Sequence, residues 1–245
     1  MHLLFVTQDF PPDVGGIQTY SWELAPRLAH RCEQFHLVAP ARPGDAEVDA
    51  SLDFPVYRLP IRSDLLVLGA FPFIFQLGWH RSVDVAFHVQ WQTALASLFA
   101  RHLLGTPSQI AVALHGRDTV FNPFQQRPLR WGYNLLRRTT LGASDHVLPV
   151  SHFLARRAYE LGATDPQTTV IPNATNPEVF YPDPDPLLRD KFNADERPVV
   201  LSAGRMVLKK GFDTALRALK LVREKIPDVL LLLAGSGPES SSLRQ

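Results

Sequence analysis

The chain has 245 residues, 45% of them hydrophobic, enough apolar content to fill one large or two modest globular cores, which excludes a disordered or fibrous protein. Its 25 basic and 24 acidic side chains leave a formal charge of +1, too weak a field to grip nucleic acid. A single cysteine, Cys32, excludes an internal disulfide and reads as a small core residue on an amphipathic helix; with an N-terminal apolar stretch too short for a signal peptide, it predicts a cytoplasmic protein.

The first predicted strand is His2-Leu3-Leu4-Phe5-Val6-Thr7, followed by a loop from Gln8 to Gly16 that holds Pro11, Pro12, Asp13 and the pair Gly15-Gly16. Ile17, Tyr20, Leu24 and Leu28 then recur at helical spacing, so the two glycines lie at or just before a helix N-terminus. Residues without Cβ let a ligand touch the backbone there, and the free N–H groups and the helix dipole favour an anion. A paired glycine is also an ordinary turn.

Further apolar runs at Phe35–Ala39, Val85–Val89, Ile110–Leu114, His146–Val150 and Thr169–Ile171 read as strands, most with helical stretches between them. That alternation predicts an α/β fold with a doubly wound parallel sheet. The most apolar segment, Leu65–Trp79, carries Pro72 near its middle and is shorter than a bilayer span, so it reads as one or two helical pieces against a core or a lipid-facing groove. Arg127–Arg138 mixes basic and aromatic residues at helical spacing, which fits either an anionic membrane surface or an amphipathic helix with a solvated basic face. His80, His88, His102 and His115 lack the spacing of a shared metal site, and no metal is expected.

Pro177, Pro182, Pro184 and Pro186, with Asp183 and Asp185 between, have a stiff, solvated composition, which predicts a domain over 1–182 and a linker over 183–197. Asp183-Pro184-Asp185 accordingly reads as linker and not as a cation-binding pair. A second domain from 198 opens with strand Val199–Ala203, helix Phe212–Lys225 and strand Val229–Ala234, one βαβ unit with bare edges that reads as an incomplete domain. Between strand and helix, Arg205 and Lys210 sit five positions apart at the carboxyl end of the strand, where open α/β sheets bind ligands. Arg205 as a two-pronged donor and Lys210 as a point charge suit one diphosphate, each charge-assisted bond contributing about 1.5–3 kcal/mol. A solvated basic turn ahead of a helix is the plain alternative. Gly235-Ser236-Gly237 has Ser240 where a dinucleotide fingerprint needs its third glycine, and reads as a ligand-facing turn.

In order along the chain, Gly15-Gly16-Ile17-Gln18 with Glu23-Leu24-Ala25, His115-Gly116-Arg117-Asp118, Val150-Ser151, Ile171-Pro172-Asn173-Ala174, Phe180, Gly204-Arg205 with Lys210-Gly211, and Ala234-Gly235-Ser236-Gly237-Pro238-Glu239 resemble the motif set of GT-B glycosyltransferases of family 4, of the phosphatidylinositol mannosyltransferase-like kind. The resemblance covers an N-terminal domain and the opening βαβ of a second, both Rossmann-like. It implies a metal-independent, retaining hexosyltransferase of an envelope or polysaccharide pathway. Such an enzyme takes a nucleoside-diphosphate sugar and a lipid- or saccharide-linked acceptor, needs no cofactor, and sits in the cytoplasm or peripherally at the inner face of the membrane.

In that picture Arg205 and Lys210 stabilise the departing diphosphate, Gly15 and Gly16 close on the phosphates, and Gly235 lies with the donor. His115 orients the transferred sugar or stabilises developing charge, and Asp13 and Gln18 face the acceptor hydroxyl. Two departures stand out. The family's pair of donor-binding glutamates falls later in the second domain than Gln245, so this chain alone is expected to be inactive. Ala174 stands where glycine is usual, so a positive φ there would be strained. Two alternatives share the motifs in part: a non-catalytic half or subunit that needs a partner domain, and a nucleotide-sugar epimerase.

Overall fold

In a computed structural model the described residues are 1–62, 66–80, 83–116, 119, 122–182, 186–194 and 196–244. They divide into two compact units, Met1–Ala174 and Thr175–Gln245.

The first unit is built on six parallel strands, β1 (His2–Val6), β2 (Gln34–Pro40), β3 (Val56–Leu59), β4 (Val85–His88), β5 (Gln109–Leu114) and β6 (His146–Pro149), in the order β3-β2-β1-β4-β5-β6. Between them run α1 (Gly16–Ala29), α2 (Asp45–Asp49), α3 (Leu66–His80), α4 (Trp91–Leu104) and α5 (Arg127–Ala143), and α6 (His152–Glu160) follows β6. Helices on both faces explain why the strands read as unbroken apolar runs. Successive β1 side chains alternate between two cores. Leu3 and Phe5 join Phe35, Leu37 and Ala25 of α1 on one face, and Leu4 and Val6 join Val38, Ile74 of α3 and Ala96 of α4 on the other. Each fully buried Leu or Phe contributes about 1.5–3 kcal/mol, which fixes the register of β1 and with it the start of the loop that follows.

The sequence reading misses two elements here. β3, Val56-Tyr57-Arg58-Leu59, lies at the sheet edge, half-buried, and Arg58 interrupts it, so it lacks the apolar run of the inner strands. The one-turn helix α2 is too short to show a period. Thr169–Ile171 forms no strand; it makes a bridge from Thr168 to Val147, and the amides of Thr169 and Ile171 donate to the carbonyls of Val147 and Pro149 at 3.0 Å. Cys32 is not helical, since α1 ends at Ala29, but it does pack against the α1-side core. Leu66–His80 is one helix with Pro72 inside it. No helix among the described residues is long and apolar enough to cross a membrane.

The second unit holds α7 (Pro186–Lys191), β7 (Val199–Ala203), α8 (Phe212–Arg223) and β8 (Leu230–Ala234), the two strands pairing in parallel from Val199↔Leu230 to Ala203↔Ala234. The division at 174 precedes the expected boundary at 182, and a helix occupies part of the expected linker. Proline at its first position suits a helix start, and Arg189 clamps its end by donating to the carbonyls of Ala194 and Arg197 at 2.6 and 3.1 Å. Asp183-Pro184-Asp185 lie outside the described residues. Ala174 needs no left-handed backbone: among the described residues the non-glycine position at positive φ is Asn193.

Candidate functional site

The strand order of the first unit reverses between β1 and β4, which makes the crevice at their carboxyl ends the place where this architecture accepts ligands. A polar network knits the two loops that leave these strands. The Gln8 amide donates to Gln90 Oε1 at 2.9 Å, Gln90 Nε2 donates to Asp9 Oδ2 at 3.0 Å, and Gln18 Nε2 donates to Asp9 Oδ1 at 2.9 Å. Thr7 closes the base, its hydroxyl donating to the Asp9 carbonyl at 2.9 Å and sharing a hydrogen bond with Ser21 at 3.1 Å. A part-buried carboxylate satisfied by two amides holds both loops in one arrangement.

That network sets the shape of the glycine loop. Gly15 is extended, a conformation open to any residue, yet a Cβ on it would collide with Gln18 Oε1, so the close approach of Gln18 is what requires glycine. Gly16 opens α1 with no atom within 4 Å of where its Cβ would stand. The helix start has no side-chain cap and no acidic residue in its first turn, which leaves its N–H groups and positive dipole end to an anion. The two residues expected to face an acceptor are engaged locally. Gln18 commits its amide nitrogen to Asp9, and Asp13 accepts from Arg42 Nε at 2.8 Å. Behind the loop, Arg58 of β3 forks onto Asp49 of α2, donates to the carbonyl of Pro11 at 2.8 Å and stacks over Phe10 at 5.2 Å.

His115 follows β5 and packs edge-on against Tyr20 of α1, ring centroids 4.3 Å apart, which brings it onto the helix that Gly16 opens. Its Nε2 is buried and without a hydrogen-bond partner among the described residues. Burial lowers its pKa from 6.5 to about 4, so at neutral pH the ring is uncharged and can exchange a hydrogen bond with a hydroxyl, not supply a positive charge. Of the two roles expected for it, orientation fits this environment better than charge stabilisation. Burial also raises Tyr20 to about 12, keeping that neighbour neutral. His88 is a different case: fully buried, bonded to Thr93 and Ser97 at 2.9 Å each, with its pKa lowered to about 3, it is a satisfied core residue. Arg117 and Asp118 lie outside the described residues.

In the second unit, Arg205 and Lys210 are exposed, and among the described residues neither side chain has a hydrogen-bond or ion-pair partner. The backbone beneath them is fixed. Gly204 and Met206 amides donate to the carbonyls of Ala234 and Ser236 at 2.9 and 2.8 Å, and the Glu239 amide donates to the Met206 carbonyl at 3.1 Å. Gly235 sits within this seam at φ +143°, where a Cβ would run into the Gly204 carbonyl. The close approach of the Gly204 carbonyl is what requires glycine at this turn, and Ser240 caps the Gly237 amide at 2.8 Å where a third glycine was absent. Buried Met206 and Phe212 anchor the same loop from inside. A cavity of about 310 Å³ lined by His30, Cys32, Glu33, Phe35 and Asp53 lies at the amino end of β2, the end of the sheet away from the glycine loop, and takes no part in the site.

Sequence reasoning misses Asp9, Gln90 and Arg58. The signal for the first two is positional: each polar side chain stands in the loop that leaves a strand at the reversal point of the sheet. Arg58 carries no such signal, since it belongs to the strand that the pattern conceals.

The glycosyl transferase 4-like domain family matches residues 15–174, and the glycosyl transferases group 1 family matches residues 185–245. The GDP-mannose-dependent alpha-(1-6)-phosphatidylinositol monomannoside mannosyltransferase of Mycolicibacterium smegmatis is 28% identical over 254 residues, covering 99% of this chain and 63% of that protein. The GDP-mannose-dependent monoacylated alpha-(1-6)-phosphatidylinositol monomannoside mannosyltransferase of Corynebacterium glutamicum is 27% identical over 253 residues, with the same 99% and 63% coverage. The chain thus spans about 63% of the length of the mannosyltransferases it matches. Among solved structures, Anabaena Alr3699/HepE in complex with UDP and glucose superposes with a TM-score of 0.71 at 17% identity, covering all of this chain and 64% of that one. That likeness speaks to the fold, which is of the GT-B type.

Proposed function

The chain belongs to the glycosyl transferase 4-like family, and from that premise we propose that it forms the acceptor-side domain and the opening of the donor-side domain of a retaining hexosyltransferase. Its donor is a nucleoside-diphosphate sugar and its acceptor a glycan carried on a lipid, at a membrane surface it contacts without spanning. The observation that carries this reading is the pair of exposed cations, Arg205 and Lys210, without a side-chain partner among the described residues and on a loop whose backbone is locked to its neighbour.

In the proposed transfer, the bond between the sugar anomeric carbon and the diphosphate oxygen breaks while the acceptor oxygen bonds to that carbon on the same face. The acceptor proton passes to the departing phosphate oxygen. Arg205 and Lys210 stabilise the charge that develops on the diphosphate, and neutral His115 exchanges a hydrogen bond with a sugar hydroxyl. The uncapped start of α1 offers N–H groups to an anion, and the Asp9 network keeps Gly15 and Gly16 in the conformation that exposes them.

Calorimetric titration of the chain with GDP and UDP tests the donor site: Arg205→Ala and Lys210→Ala should each weaken binding about tenfold or more. Unchanged affinities would contradict the assignment. Release of nucleoside diphosphate only when a lipid-linked acceptor is present separates transfer from epimerisation. Little transfer is expected from the 245-residue chain alone compared with a version carrying the remainder of a second domain. A second reading, a half that works only with a partner domain, draws on the exposed apolar side chains of β7, Val200 and Leu201, and predicts that activity returns on mixing with that domain.

A further inference from the structure

Helix α5 turns one arginine inward. The sequence reading puts the basic residues of this segment on a solvated face, and Arg137 departs from it: the residue is 6% exposed, and its guanidinium stacks over the Tyr133 ring at 5.6 Å. Nη1 donates to the Thr119 carbonyl and Nη2 to Asn134 Oδ1, at 2.9 Å each. These partners are held in turn. Tyr133 packs edge-on against buried Trp91 at 5.1 Å, and Asn134 Oδ1 also accepts from Asn122 Nδ2 at 3.0 Å. The inner face of α5 thus grips the chain between β5 and the helix at two points, Thr119 and Asn122. Burying a guanidinium carries a desolvation cost that Leu or Met would avoid at an inward position, so the fixed, forked donors are what this position calls for.

The first of those points leads to His115. Thr119, itself 2% exposed, returns to the Gly116 carbonyl twice, through its amide at 3.1 Å and its hydroxyl at 2.9 Å. Gly116 stands at φ +109°, and a backbone without Cβ is permissive, so the hydrogen bonds around it set the direction in which its neighbour His115 leaves β5. That direction brings the imidazole against Tyr20 of α1 with Nε2 buried. We propose that Arg137 is a positioning residue for His115: through the Thr119 carbonyl it fixes the backbone at Gly116, and so holds the imidazole on Tyr20 in the orientation from which it meets a hydroxyl of the transferred sugar. This rests on the reading of His115 given under the proposed function. Without the link, the protein would keep its cations and its glycine loop and lose the group that orients the sugar.

Long-range nitrogen–proton NMR spectra of the 245-residue chain at neutral pH read the imidazole rings directly. His115→Phe assigns His115 among the nine histidines, and Tyr20→Leu marks where its signals fall once the stacking is lost. Arg137→Met fills similar space without donors. It should shift the His115 signals most of the way to their Tyr20→Leu positions and speed exchange of the Thr119 amide about tenfold or more. The His88 signals should stay in place, because Thr93 and Ser97 hold that ring independently. Arg137→Lys keeps a charged donor but loses the fork, and should recover part of the shift. Thr119→Val keeps the carbonyl, removes the hydroxyl bond to Gly116, and should move the His115 signals the same way by a smaller amount; should Arg137→Met fail to fold, this variant decides alone. Unmoved His115 signals, His88 signals displaced as far as those of His115, or no recovery with lysine would overturn the proposal and leave Arg137 as an anchor of the fold. All readouts are taken without nucleotide or acceptor, so failure of the donor titration leaves this link standing, and failure here leaves the donor site resting on Arg205 and Lys210.

Discussion

The two loops proposed for anion contact are built in opposite ways. In the first unit the loop from Gln8 to Gly16 is held by side chains, with Asp9 between two glutamines, Arg58 on the Pro11 carbonyl and Arg42 on Asp13, and the groups it leaves available are backbone amides. In the second unit the loop from Gly204 to Gly211 is held by backbone, laced to the chain after β8, and what it leaves available are the side chains of Arg205 and Lys210. A charged side chain tied into scaffolding is lost to a ligand, so each loop uses one kind of group for rigidity and leaves the other kind free of that task. Substitutions should therefore act differently in the two places.

The largest difference should appear with pH. All nine histidines lie in the first unit, and burial lowers His88 to about 3 and His115 to about 4 from 6.5. The unfolded chain takes up these protons first, so stability is full above about pH 6.5 and falls as pH drops toward 4, at up to about 1.4 kcal/mol per pH unit for each histidine. All four tryptophans also lie in the first unit, so urea unfolding followed by tryptophan emission reads that unit alone. A flat profile between pH 7 and 4.5 would mean the two rings are not buried in solution. His115→Phe should remove part of the slope.

Next in size is the clamp behind the glycine loop. Arg58→Ala strands Asp49 and the Pro11 carbonyl and should cost about 3 kcal/mol in the same assay. Gly235→Ala sets a Cβ against the Gly204 carbonyl and should cost about 2 kcal/mol, visible as faster amide exchange along β7 and β8 with the tryptophan transition unmoved. Asp9→Ala leaves the amides of Gln18 and Gln90 without their acceptor and should cost about 1–3 kcal/mol, with the effect of Gln90→Ala reduced in its background to the share carried by the Gln8 amide. Smallest of all, Arg205→Ala and Lys210→Ala should change stability by less than about 0.5 kcal/mol while weakening nucleoside diphosphate binding. A larger loss of stability would show that these cations hold the loop after all.

Local pattern made several features legible in advance. The inner strands β1, β2, β4 and β5 are apolar on both faces because helices cover both, and glycines and cations next to strand ends stand out against such runs. The roles of individual residues inside the site were less legible. Gln18 and Asp13 look available in sequence, and their local partners Asp9 and Arg42 become visible only in three dimensions. Gly235 reads as a turn in sequence, and only in three dimensions does the carbonyl of Gly204 appear in the space its side chain would fill. Arg137 reads as surface charge like its neighbours, yet one helical position separates it from exposed Leu136 and Arg138 and turns it into the core.

By itself, then, the sequence determined the α/β alternation, the parallel sheet of the first unit, the restart of the pattern in the second, and the family, because these depend on the spacing of apolar residues and on short motifs read in order. Only the tertiary structure decided which polar groups are spent on each other and which are left for a ligand, where the edge strand β3 joins the sheet, and which face of α5 meets the outside. Those outcomes depend on atoms distant in sequence arriving within hydrogen-bond reach, and no local pattern records that distance.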